Sequence, residues 1–95
     1  MWYMKQLSDV LQWMLDVRGL SQRQLAERML ASASLPPAAR AGVETDISRW
    51  INNARLPTYY NLVILIDSMN MTDHEIRQFL QACANVEWER QVPHD

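Results

Sequence analysis

The stretch TDISRWINNARLPTYYNL, Thr45 to Leu62, decides how this chain is read. Ile47, Trp50 and Ile51 recur at i, i+3 and i+4, which gathers them on one side of a helix, while Ser48, Arg49, Asn52 and Asn53 point elsewhere. One face packs and another is left to meet a partner. Thr45 is a good N-cap residue and Asp46 complements the positive helix end, so this third helix is expected over 45–53. Asn53 suits a left-handed C-terminal position, and Pro57 prevents the helix from continuing.

Downstream, Leu62, Leu65, Ile66 and Met69 repeat at helical spacing and predict a fourth helix from about Tyr59. Thr72 and Glu75 form a capping box ahead of Ile76, Phe79, Leu80 and Cys83, the apolar face of a fifth. The remainder, ANVEWERQVPHD, carries one strong hydrophobe, Trp88, and is expected to be a frayed tail over 85–95. Upstream, Leu7, Val10, Leu11 and Met14 mark a first helix that Gly19 stops after Arg18. Ser21 and Gln24 make a second capping box, and Leu25, Ala26 and Met29 give the buried stripe of a helix from about Gln22 to Leu30 or slightly beyond.

Between them lies LASASLPPAARAGVE, Leu30 to Glu44, with two prolines, a glycine and many small residues. It reads as a connector. Ser34 can cap a short extra helix with Pro36 and Pro37 at its start, and Gly42 can close it. No strand alternation or internal repeat interrupts this pattern, so the fold class is all-α, a single domain over 1–95 with its core at about 7–83.

Composition narrows the function. The 95 residues are 48% hydrophobic, enough for one modest core. One cysteine, Cys83, and two distant histidines, His74 and His94, assemble neither a disulfide framework nor a zinc cluster, and Cys83 reads as a small core hydrophobe. The longest apolar run, Leu62 to Ile66, falls far short of the ~20 residues that span a bilayer. The start, MWYMKQLSDVLQW, lacks a signal-peptide pattern, so no membrane partner is expected and the cytoplasm is the default address. Net charge is −2, but it is unevenly spread: residues 1–57 carry seven cations against five acids, +2, and residues 58–95 two against six, −4. A phosphate-facing surface, if the chain has one, belongs to the first part.

Three segments together resemble the lambda-repressor-like, or Cro-type, helix-turn-helix family of bacterial and phage DNA-binding proteins. They are RGLSQRQLAERM (Arg18 to Met29), ISRWINNARLPT (Ile47 to Thr58) and NLVILIDSMNMT (Asn61 to Thr72), and the likeness covers roughly residues 7–82. The resemblance implies a compact five-helix domain whose second helix lies across the DNA backbone and whose third enters the major groove. Carried over by position, Glu44, Thr45, Asp46, Ser48, Arg49 and Asn52 form the base-reading stretch, and Gln22, Arg23, Asn53, Arg55 and Arg40 are candidate phosphate contacts. Arg49 leads, because its guanidinium can donate two bonds to guanine O6 and N7. Asn52 can read adenine or simply cap its helix. Glu44 or Asp46 can accept from cytosine N4, serve as a cap, or reject wrong partners.

Bland readings stand beside these. Gln22 can merely complete the second helix's start, Arg23 can be a solvated charge, and Arg55 can cap carbonyls. The sequence also departs from the family in the span from Leu30 to Asp46, about eleven residues longer than the usual tight turn. This insertion, about 31–44, can be an inert loop, a basic finger using Arg40, or a partner-binding element, and its closure entropy is small. A module of this size is expected to work as a homodimer on double-stranded DNA, with Trp2, Tyr3, Trp13 and Trp88 available for the interface or for closing the core. The expected function is thus a sequence-specific transcription regulator, a repressor of phage or plasmid type that binds an inverted-repeat operator through helix 45–53. The rival is a protein-interaction module, an antitoxin or adaptor, on the same scaffold. No phosphate loop, nucleophile elbow or metal motif points to an enzyme, a cofactor or a metal.

Overall fold

The computed structural model describes residues 6–91, with side chains over 6–84. Among the described residues five α-helices follow one another: α1 Leu7–Arg18, α2 Gln22–Ser32, α3 Arg40–Ile51, α4 Tyr59–Ser68 and α5 Asp73–Gln91, with a one-turn 3-10 helix at Pro37–Ala39 before α3. Among the described residues there is no strand, and no helix is long and apolar enough to cross a membrane.

Four helices stop by the same device. Gly19, Ser34, Asn53 and Asn70 each take a positive φ, between 49° and 63°, just past the end of α1, α2, α3 and α4. The next residue's N–H then reaches back to a carbonyl in the last turn: Leu20 to Leu15, Leu35 to Leu30, Ala54 to Arg49 and Met71 to Ile66. This closure satisfies carbonyls that a helix end leaves bare. Gly19 and Asn53 behave as the sequence predicts. Ser34 does not: it closes α2 rather than capping a new helix, and Pro36 precedes the 3-10 turn with Pro37 as its first residue.

One core joins the elements. Leu7, Val10, Leu11, Met14, Leu25, Ala26, Met29, Ile47, Trp50, Leu65, Met69 and Phe79 are all buried, as their spacing predicts. Leu80 is the exception. Its spacing predicts the buried face of α5, yet it is exposed, because Phe79 and Ala82 set the inward direction and Leu80 lies about 100° from Phe79. α2 packs against α3 and α4, and α1 packs against α3 and α5.

The largest correction concerns the connector. Most of it is helix: α2 runs on to Ser32 and α3 begins at Arg40, leaving only residues 33–39 between them. Thr45 is therefore not an N-cap but a second-turn residue whose hydroxyl donates to the Ala41 carbonyl at 2.9 Å. Asp46 likewise sits mid-helix, and no acid occupies the first turn of α3. Gly42 does not close anything; it lies inside α3, exposed. The expected tail is also corrected, since α5 continues through Gln91.

Candidate nucleic-acid interface

The outward side of α3 is a single stripe. Ala41, Thr45, Arg49 and Asn52 are exposed at steps of three or four residues, with half-buried Ser48 among them, while Ile47 and Trp50 hold the opposite side in the core. Arg49 stands at one edge of the stripe, in the last turn of α3, and its side chain has no hydrogen-bond or ion-pair partner among the described residues. Glu44 and Asp46, both half-buried, flank the stripe on either side.

Asn52 is committed locally. Its Nδ2 donates to the Ser48 carbonyl at 2.8 Å and lies 3.2 Å from the Ser48 hydroxyl, so the amide folds back over the last turn of α3. Asn53, in the left-handed position, donates from Nδ2 to Gln6 Oε1 at 3.2 Å and so ties the end of α3 to the residue preceding α1. Sequence offsets of 47 residues hide such a link. Arg55 is exposed in the segment leading to α4 and is unpartnered among the described residues.

At the start of α2 the predicted capping box is present in both halves. Gln24 N–H donates to Ser21 Oγ at 3.1 Å, and Ser21 N–H donates to Gln24 Oε1 at 2.8 Å. The box occupies Gln24 and leaves the side chains of Gln22 and Arg23 exposed and unpartnered among the described residues. Arg40 is different. It pairs with Glu27 of α2, and its Nε is buried with no partner. The pair pins the front of α3 onto α2 and takes up the charge that a phosphate contact would use.

The opposite chemistry appears where α1 meets α5. Arg18 Nη1 and Nη2 donate to Glu75 Oε2 and Oε1 at 2.8 and 2.6 Å, and its Nε donates to the Met69 carbonyl at 2.9 Å. Glu75 also completes the Thr72 box, accepting from the Thr72 N–H at 2.9 Å. The Arg18 guanidinium, then the Thr72 N–H, hold the Glu75 carboxyl down at about 2, against the opposing effect of burial. Glu75 in turn raises the pKa of Arg18. Beside this pair is an open groove that Trp13, Val17, Arg28 and His74 also line. Burial pushes the half-buried Cys83 thiol up to about 11, in keeping with a structural side chain.

Sequence reasoning missed the Arg18–Glu75 pair, whose members are 57 residues apart. It also missed the exposure of Tyr59, Tyr60 and Val63, which form an apolar patch at the start of α4. Trp13 is half-buried against the core, whereas the side chains of Trp2, Tyr3 and Trp88 lie outside those described. Among the described residues no cluster of His, Cys, Asp and Glu is arranged to hold a metal. Comparison with protein-family models, with characterised proteins and with solved structures gives no match.

Proposed function

We propose that this chain is a sequence-specific DNA-binding transcription regulator, a repressor that binds an inverted-repeat operator as a homodimer with α3 in the major groove. The observation that carries the reading is the free Arg49 guanidinium on the polar stripe of α3. Free cations or donors at Arg55, Gln22 and Arg23 support it as contacts for the flanking phosphates. Because α2 and the 3-10 turn occupy the front of α3, the helix meets the groove by its side rather than its tip. Thr45 to Asn52 then covers about 10 Å of helix, roughly three base pairs.

The test is selection of bound sequences from random duplexes at several salt concentrations. A short inverted repeat should emerge, with affinity falling steeply as salt rises. Arg49→Ala should relax the preference at particular bases, whereas Arg55→Ala should weaken every sequence alike and flatten the salt slope by about 1.

A second reading has its own support. Glu44 and Asp46 flank the stripe where DNA would bring phosphates, which favours a protein partner such as a toxin or an adaptor's target. Under that reading no sequence is selected, and Arg49→Ala and Arg55→Ala behave identically on every duplex.

A further inference from the structure

We infer that the exposed side of α4, formed by Tyr59, Tyr60, Val63 and Asp67, is a self-complementary surface that binds a second copy of this chain with the two α4 helices antiparallel. The inference deepens the homodimer part of the reading above and names its surface.

Tyr59 is 82% exposed, Tyr60 61% and Val63 49%, and all three lie within one turn and a half of helix. Helical geometry places Tyr59, Val63, Asp67 and Tyr60 within about 100° of one another, opposite the buried Leu65. Tyrosine suits such a surface because it presents a broad apolar ring with few rotatable bonds. The described chain leaves Tyr59, Tyr60 and Val63 largely uncovered.

Charge then selects the occupant. Asp67 is the sole charged residue of α4, and it sits at the C-terminal end, where the helix dipole is negative. The N-terminal end carries no acid in its first turn, only the Thr58 cap on the Asn61 N–H, and Arg55 precedes it. Each end thus lacks what the other has. An antiparallel pair brings the Asp67 of each copy to the positive end of its partner's α4, twice by symmetry, with the tyrosines and Val63 closing between. Asp67 already accepts from Ser32 Oγ, which fixes the carboxylate's position and leaves acceptor capacity free.

Size sets the strength. At ~150–250 Å² per buried aromatic side chain, the two tyrosines offer about 300 Å² per copy, well below a standard ~800 Å² per partner. The dimer is accordingly weak in solution, micromolar or poorer, and tightens when both copies share one duplex.

Sedimentation of the full chain over 1 µM to 1 mM, without DNA, tests this directly. The wild type should pass from monomer to dimer, Tyr59→Glu with Tyr60→Glu should stay monomeric at every concentration, and Asp67→Asn should shift the transition upward several-fold. Asp67→Asn keeps an acceptor for Ser32, and thermal melts of all variants should match the wild type. Under mild oxidation Val63→Cys should form a covalent dimer, while Val17→Cys, at a site 63% exposed on α1, should not. A wild type that remains monomeric to 1 mM, a dimer that survives the double tyrosine change, or equal cross-linking at both cysteines would overturn the surface. The outcome is separable from the DNA reading. A dimer lost in the tyrosine variant upholds this surface even if no duplex sequence is ever selected, and operator selection by a strict monomer sinks it while leaving DNA binding intact.

Discussion

Arg18 and Arg49 show how differently one side chain can be used in a chain of 95 residues. Arg18 is bound at all three nitrogens, to Glu75 and to the Met69 carbonyl, and joins the end of α1 to the start of α5. Arg49 is bound at none among the described residues. A guanidinium whose donors are spent inside the fold contributes to stability and has little left to offer a ligand. A free one stabilises the fold little and can be spent on a partner. Counting arginines per half-chain cannot distinguish the two, which is why a net charge of +2 over residues 1–57 says little about a binding face.

The contrast can be broken most forcefully at Arg18. Arg18→Ala leaves Glu75 buried without its cation and the Met69 carbonyl without its donor, so stability should fall by about 3–5 kcal/mol. For a domain of this size that is a drop in Tm of ~12 °C or more, readable by circular dichroism. If Arg18→Ala melts like the wild type, the pair is not what holds α1 to α5.

Arg49→Ala should do the reverse. Its stability should remain within about 0.5 kcal/mol of the wild type, while binding to the selected duplex should lose ~1–3 kcal/mol of base discrimination. A melting shift as large as that of Arg18→Ala would erase the distinction.

Acid sharpens the same comparison. The Glu75 carboxyl sits at about 2 in the folded chain, below its ordinary 4.5, so the unfolded chain binds more protons between those values. The contribution is fully present above about pH 4.5 and is lost as pH falls toward 2, on the order of 3 kcal/mol in all. Urea unfolding at pH 6, 4 and 2.5 should show this decline, and Glu75→Gln should flatten it.

The smallest effect falls on α3 itself. Gly42 lies inside the helix with a φ that other residues adopt, and an added Cβ would meet nothing within 4 Å. Gly42→Ala should therefore raise stability by ~0.4–1 kcal/mol. Destabilisation by that change would mean that Gly42 closes a loop after all and that α3 starts later.

Much of the fold is legible in the sequence because its punctuation is chemical. The Ser21–Gln24 and Thr72–Glu75 boxes, Gly19, Asn53 and Pro57 announce their own helix ends, and the buried faces of α1 and α2 follow from spacing. The start of α3 was illegible for an equally definite reason. Its first residue, Arg40, follows Ala39, which makes no side-chain cap, because a 3-10 turn runs directly into the helix. Thr45 has the chemistry of the missing cap, and nothing local reveals that its hydroxyl turns back to Ala41. Within the candidate interface, the positions of Arg49 and Ser48 on an outward face could be read from the period of 3.6. The Glu27 partner of Arg40 and the Gln6 partner of Asn53 are tertiary facts that no window of sequence contains.

The packing of α1 on α5 also bears on how the chain is made. A ribosome that has released four helices has not yet supplied Phe79 or Ala82, so one flank of α1 is still bare and Arg18 has no acid to meet. The expected consequence is a nascent chain that stays protease-sensitive until α5 has left the exit tunnel.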